Sequence, residues 1–264
     1  VYQYQGKKEY LYQNNMIISL PFLLSSAGYG VLIDAECAMR FESDEPGKFR
    51  FILEAVEDFG LTVLRGCDAA EVVRMLSAQN GATPLLPRWA YGYMQSRERY
   101  KTAEELEETV RRFRRENLGL DCIILDWRTW QGNRWGDKTP DPERFPSVPA
   151  MMDALHALHA HLIVSVWPNM AKGGQDHAEF EAAHQFLPNC DTYDAFNPDA
   201  RRLYAEQCER FWSSGSVDGF WDDSSEPFTD PDWNGAQKRP EETRYRLIND
   251  AAARSIDETR INAY

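Results

Sequence analysis

Val217-Asp-Gly-Phe-Trp-Asp-Asp-Ser-Ser-Glu-Pro227 is a short hydrophobic run that ends in acid. Val217 to Trp221 has the composition of a buried strand. Asp222, Asp223 and Glu226 follow before Pro227 bars regular continuation. Carboxylates that lose water cost free energy, so such a cluster at a strand end either stays solvated or serves a ligand. Reading outward, the same pattern recurs. Leu162 to Val166 is apolar and delivers Trp167-Pro168-Asn169, and Leu120 to Leu125 delivers Asp126-Trp127. Trp89 to Met94 reads as a first strand, delivering Gln95-Ser96-Arg97.

Helical patterns separate these runs. Thr102-Ala-Glu-Glu105 is a capping box, and Leu106, Val110 and Phe113 follow on one face. The basic residues Arg111, Arg112, Arg114 and Arg115 are expected on the solvated face, where they also complement the helix dipole. A second helix is expected over 149–158 and a third over 198–213. The third is announced by Asn197 as N-cap and Pro198 at the first helical position. A fourth is expected over 241–256. Strands apolar along their whole length belong to a parallel sheet covered by helices. Four β-then-α units make an α/β fold, the first half of a (β/α)8 barrel, with a doubly wound sheet as the alternative. In a barrel the C-terminal strand ends share one face, and an acid-and-tryptophan rim there suits sugars: carboxylates for hydroxyls, flat rings for pyranose faces.

Residues 1–65 read differently, as short strands broken by turns. The segments are Met16 to Leu24 with Pro21 inside it, Val31 to Ile33 after a Gly28-Tyr29-Gly30 turn, Phe49 to Ala55, and Leu61 to Leu64. A helix over Asp68 to Gln79 follows, with Val72, Val73 and Leu76 expected on one side. The stretch 81–87, with Pro84 and Pro87, is the expected junction. The predicted domains are 1–85, the C-terminal part of a β-sandwich, and 86–264, the first four barrel units.

Composition excludes several classes. The net charge is −13, from 29 basic and 42 acidic residues, which argues against a nucleic-acid partner. Five cysteines without a CxxC pair suggest neither a disulfide framework nor a thiolate zinc site. No signal peptide or bilayer-length apolar run is evident, so a soluble, cytoplasmic location without membrane contact is expected, although the chain begins without Met. His156, His159 and His161 invite a metal reading. Positions 156 and 159 share a helix face while 161 begins the next strand, so no metal is expected there.

Six motifs in order resemble glycoside hydrolase family 31, the retaining α-glycosidases that include α-glucosidases and α-xylosidases. They are Leu20 to Gly30, Pro87 to Tyr100, Leu125-Asp-Trp127, Trp135-Gly-Asp137 with Asp141-Pro-Glu-Arg-Phe-Pro146, Val166-Trp-Pro-Asn169, and Phe220 to Pro227. The resemblance implies hydrolysis of terminal α-linked glucose or xylose through a glycosyl-aspartate intermediate. It implies Asp223 as catalytic nucleophile with Glu226 as its acidic companion, and Asp126 as a ligand of sugar hydroxyls. Trp135 and Trp167 are implied as walls of the innermost subsite, with Trp127 beside Asp126 and Arg97 near the rim. Strand alternation turns only one of Asp222 and Asp223 toward the pocket, and the resemblance selects Asp223.

No cofactor or metal is implied, and the expected partner is an α-linked oligosaccharide or glycoside. The family commonly has Gly where His159 stands, so His159 is expected to end its helix less comfortably. The family's acid/base Asp lies on a later strand, beyond Tyr264. The chain is therefore expected to need the remainder of its barrel or a complementary chain, and to be inactive alone. Transglycosylation, or carbohydrate binding without catalysis, are the alternatives.

Overall fold

A computed structural model describes residues 4–223, apart from 12–19, 36, 38, 54–55, 57, 82, 188–190 and 213–216. It divides into two units, one running to Pro84 and one beginning at Leu85. In the first unit, strands β1 (Lys8–Leu11), β4 (Met39–Glu42) and β5 (Arg50–Leu53) make one antiparallel sheet. Strands β2 (Phe22–Ser25), β3 (Tyr29–Asp34) and β6 (Gly60–Arg65) make another. Val31 and Ile33 of β3 and Met39 of β4 form a common core with Leu11, Leu23 and Phe51, so the two sheets sandwich one apolar layer. Gly28 takes a left-handed turn (φ 83°), and a Cβ there would meet the Gly66 carbonyl oxygen at 2.8 Å.

Helix α1 (Ala69–Asn80) starts where Asp68 accepts the Glu71 amide. It buries Val72 completely but leaves Val73 46% exposed. Val73 therefore does not share the buried side, because one residue turns the helix by about 100°. Strand β2 begins only at Phe22, and residues 16–19 of the expected first strand lie outside those described.

The second unit opens with a correction. Trp89 to Met94 is not a strand: Arg88–Tyr91 is a turn of 3-10 helix, and only β7 (Met94–Gln95) pairs. Gly92 sits so close to the Asp121 carboxylate that a Cβ would overlap it, and Asp121 accepts the Tyr93 amide at 3.1 Å. The chain is thus held at Tyr93, by the Asp121 side chain and by the Asp121 and Cys122 amides donating to its carbonyl, until Met94 meets Cys122.

Helix α2 (Ala103–Arg115) is capped by Thr102, which accepts the Glu105 amide at 3.2 Å, while Glu105 accepts the Lys101 amide at 2.7 Å. Arg111, Arg112 and Arg115 pair with Glu107, Glu116 and Glu108 on the surface. Arg114 does not join them. Four residues after buried Val110, it turns inward and donates to the carbonyls of Leu120 (2.7 Å), Leu158 (2.8 Å) and His159 (3.0 Å). It thereby satisfies orphaned carbonyls at the end of the next helix.

Strand β8 (Cys122–Leu125) is wholly buried, α3 (Val148–Ala157) is capped by Ser147, and β9 (His161–Val166) follows a turn in which His159 is left-handed (φ 54°). Helix α4 (Gln175–Ala183) was not anticipated. It begins at Gly174 without a side-chain cap and offers little apolar periodicity beyond Phe180. Helix α5 (Pro198–Phe211) starts at Asn197 as expected, and β10 (Gly219–Asp222) completes the described chain. The helix expected over 241–256 lies outside the described residues.

The sheet order is β10-β9-β8-β7, all parallel. Sequential order without reversal is that of a barrel and excludes the doubly wound alternative for these strands. Ile123, Leu125, Leu162 and Val164 pack outward with Leu106, Val110, Met152 and Leu155. At about 25 cal/mol per Å2, each such side chain contributes roughly 1.5–3 kcal/mol of burial free energy. Among the described residues no helix is long and apolar enough to cross a membrane. Cys67, Cys122 and Cys208 are free thiols, and burial pushes the Cys122 thiol up to about 12, which makes it an inert core residue.

Candidate active site

Register decides which side chains meet at the C-terminal strand ends. Ile124 pairs with Ile163, and Ile163 with Gly219, so counting by twos puts Asp126, Ser165 and Asp223 on the face opposite the helices. Asp222 pairs with Val166 and shares the parity of Val164, so it points to the helix side. Its charge accordingly adds to burial, the larger cause, in holding the Tyr204 hydroxyl and the Cys208 thiol on α5 in their neutral forms. Asp223 is half-buried. Its amide donates to the Val166 carbonyl at 3.0 Å, and its carboxylate accepts from Ser165 Oγ at 3.4 Å. Ser165 Oγ in turn accepts from Trp167 Nε1 at 3.1 Å.

Asp126 accepts the Trp127 amide at 2.7 Å, and the chain then turns through left-handed Arg128 (φ 59°). Burial first, and then the negative charges of Asp223 and Glu98, hold the Asp126 carboxyl above its ordinary range against the pull of the Trp127 N–H. Two carboxylates therefore sense each other across the end of β9, which lies between their strands and carries the one hydroxyl donor, Ser165.

Four tryptophans wall this face. Trp135 meets Trp167 edge-on at 4.5 Å, Trp127 stands 5.4 Å from Trp135, and Trp130 lies 5.6 Å from Trp135 and 6.2 Å from Trp167. The loop that carries Trp127, Trp130 and Trp135 is fastened at both ends. Arg144 bonds Asp141 and donates to the carbonyls of Arg128 (2.8 Å) and Trp130 (2.6 Å). The Ala171 amide donates to Trp135 O at 2.7 Å, and Trp135 Nε1 to Asn169 Oδ1 at 3.3 Å. Gly136 (φ 73°) permits that approach, since any Cβ there would overlap the Asn169 carbonyl. Beneath lies a buried polar layer. The Lys138 amide donates to Asp176 Oδ2 at 2.6 Å, its ammonium stands 4.2 Å from the Tyr204 ring centroid, and Tyr204 Oη donates to Trp167 O at 3.0 Å. Burial pulls Lys138 down to about 8 and holds Asp176 well above the usual carboxylate range.

Asp223, Asp126, Trp127, Trp135 and Trp167 are thus gathered in one place. Arg97, two residues after the end of β7, donates to Glu105 Oε1 at 3.0 Å and lies over the Tyr100 ring. Glu226 lies outside the described residues. Ser165, Trp130, Glu98 and Tyr204 were missed. Ser165 alone left a signal, a hydroxyl inside an otherwise apolar strand. Among the described residues, the group of three that could hold a metal, His156, His161 and Asp218, is at the other end of the sheet.

Residues 83–256 match the family description "Glycosyl hydrolases family 31 TIM-barrel domain". The α-xylosidase of Saccharolobus solfataricus is 33% identical over 226 residues, covering 86% of this chain and 31% of that protein. An α-glucosidase of the same organism is 26% identical over 234 residues, covering 82% of this chain and 33% of that protein. A family 31 α-xylosidase from a soil metagenome, solved with xylose, superposes with a TM-score of 0.75 at 28% identity, covering 84% of this chain and 34% of that one. The chain thus spans about a third of the length of the relatives it matches. With the sequential parallel sheet and its acid-and-tryptophan face in register, these matches establish that the chain belongs to glycoside hydrolase family 31.

Proposed function

We propose that this chain carries the nucleophile side of a retaining α-glycosidase acting on terminal α-linked xylose or glucose. Asp223 attacks the anomeric carbon, the bond to the leaving oxygen breaks, and that oxygen takes a proton from a second carboxyl. Water, deprotonated by the same carboxyl, then attacks the glycosyl-Asp223 ester and frees the carboxylate. The second carboxyl must lie roughly 5–5.5 Å from Asp223. We assign it to a later barrel strand, so the chain alone binds sugar better than it turns it over.

Asp126 holds sugar hydroxyls, and Trp127, Trp135 and Trp167 pack on the ring face. The observation that carries this reading is the shared inward parity of Asp126 and Asp223 with Ser165 between the two acids. Two of the three relatives named are α-xylosidases, which favours xylose.

An activated α-xylosyl fluoride or a cyclitol epoxide, applied to the complete protein, is expected to label Asp223. Label on Asp222, or none, would count against the assignment. Hydrolysis by the isolated chain at the rate of the complete protein would overturn the half-site reading.

A further inference from the structure

The same strands carry a second cluster at their N-terminal ends. His159 turns away through its left-handed backbone and is exposed, so the triple-histidine set does not form. Asp218, 57 residues beyond His161, takes its place. His156 Nε2 lies 3.0 Å from Asp218 Oδ2, and His161 Nδ1 lies 2.8 Å from Asp218 Oδ1. One ligand atom from each residue falls within 4.8 Å of the others.

Two of the three groups are held in place by neighbours that need not move. The His161 ring stacks on Trp89 at 4.5 Å with an 18° tilt, and the Leu162 amide donates to Asp218 Oδ2 at 2.9 Å. An outer hydrogen bond to a carboxylate of this kind orients a metal ligand and keeps its other oxygen available.

We propose that His156, His161 and Asp218 form a structural site for a zinc-like divalent transition ion, with water as the fourth ligand. Two imidazole nitrogens and one carboxylate suit such an ion, whereas Mg2+ and Ca2+ prefer oxygen throughout. Each imidazole can carry its proton on the nitrogen facing away, which leaves both facing lone pairs free. Ligands about 2.0–2.2 Å from a tetrahedral ion stand about 3.3–3.6 Å apart, so the present 2.8–3.3 Å His–Asp separations open by at most about 0.8 Å. The site joins the end of α3 to the starts of β9 and β10. At about 3.3 Å per residue, it is roughly 16 Å of strand away from Asp223, too far to touch the reacting atoms.

The test is zinc chloride titrated calorimetrically into the full chain after EDTA treatment and dialysis, with cobalt substitution read by visible absorption. One equivalent is expected to bind, to raise the unfolding temperature, and to give the intense band of four-coordinate cobalt. His161→Gln is expected to weaken binding by more than about 100-fold, since even outer-shell partners cost about 10–100-fold. His156→Gln, at an exposed helix end, serves if the first variant folds poorly. His159→Asn, which keeps a residue tolerant of left-handed backbone, is expected to bind as the parent does. No saturable binding, equal binding by the His156 variant, or loss in the His159 variant would overturn the site.

Discussion

The two ends of one parallel sheet treat carboxylates in opposite ways. At the C-terminal end Asp126 has the Trp127 amide as donor, is half-buried, and faces the charges of Asp223 and Glu98, so its carboxyl is held up. At the N-terminal end burial also acts to raise Asp218, but His161, His156 and the Leu162 amide outweigh it and hold the carboxyl down. The difference teaches which acid is there for the fold and which is there at the fold's expense. A carboxylate held by several donors of the fold offsets its desolvation, while an under-donated one beside like charge gains its missing donors only from a ligand.

The largest effect expected at the catalytic end is that of Asp223→Asn in the complete protein. It should lower kcat/KM by about 10^4-fold or more, as loss of a covalent nucleophile does. Asp222→Asn, one residue away on the helix side, should leave kcat/KM within about threefold. Comparable losses would break the parity on which the site rests.

Asp126→Asn is next, expected to lower kcat/KM by roughly 10–150-fold, since a hydrogen bond to a charged group is worth about 1.5–3 kcal/mol. In Asp223→Asn the Asp126 titration, followed by carboxyl-carbon NMR, should move downward because one of the charges raising it is gone. An unmoved titration would separate the two acids.

Stability sharpens the contrast at the other end. Asp218→Asn should cost about 1–3 kcal/mol at pH 7, measured by urea unfolding of metal-free protein, because it weakens three hydrogen bonds to a charged acceptor. A lowered folded pKa contributes stability above the unfolded value of about 3.9 and loses it as pH falls through the folded value. The gap between parent and variant should therefore close below about pH 4.

Asp126→Asn should do the reverse and on a smaller scale, stabilising the fold by less than about 1 kcal/mol at pH 7. A raised folded pKa favours the fold below the unfolded value of about 3.9, and that advantage fades as pH rises through the folded value. Removing the charge should thus help only on the neutral side. If both variants destabilise alike, the two ends do not differ as described.

Much of this was legible in advance because it is local. Thr102 and Asn197 each accept an amide two or three residues on, a relation visible in any short window. Arg114 was misread for the converse reason. Its four-residue spacing from Val110 was visible, but the carbonyls it reaches at 158 and 159 were not. Trp130 belongs to the same class, since its neighbours Trp135 and Trp167 come from two different loops.

By itself the sequence determined the rhythm of strands and helices, the acids at the strand ends, and the rule that only one of Asp222 and Asp223 can face inward. Periodicity and capping act over a few residues and need no tertiary partner. Only the tertiary structure decided by geometry which of the two it is. Inward and outward are defined by the pairing of β10 with β9 and of β9 with β8, and by the helices that bury the other face. The same cross-strand register carries Asp218 to His161 and leaves His159 outside, because hydrogen bonds between strands, and not distance along the chain, set which side chains meet.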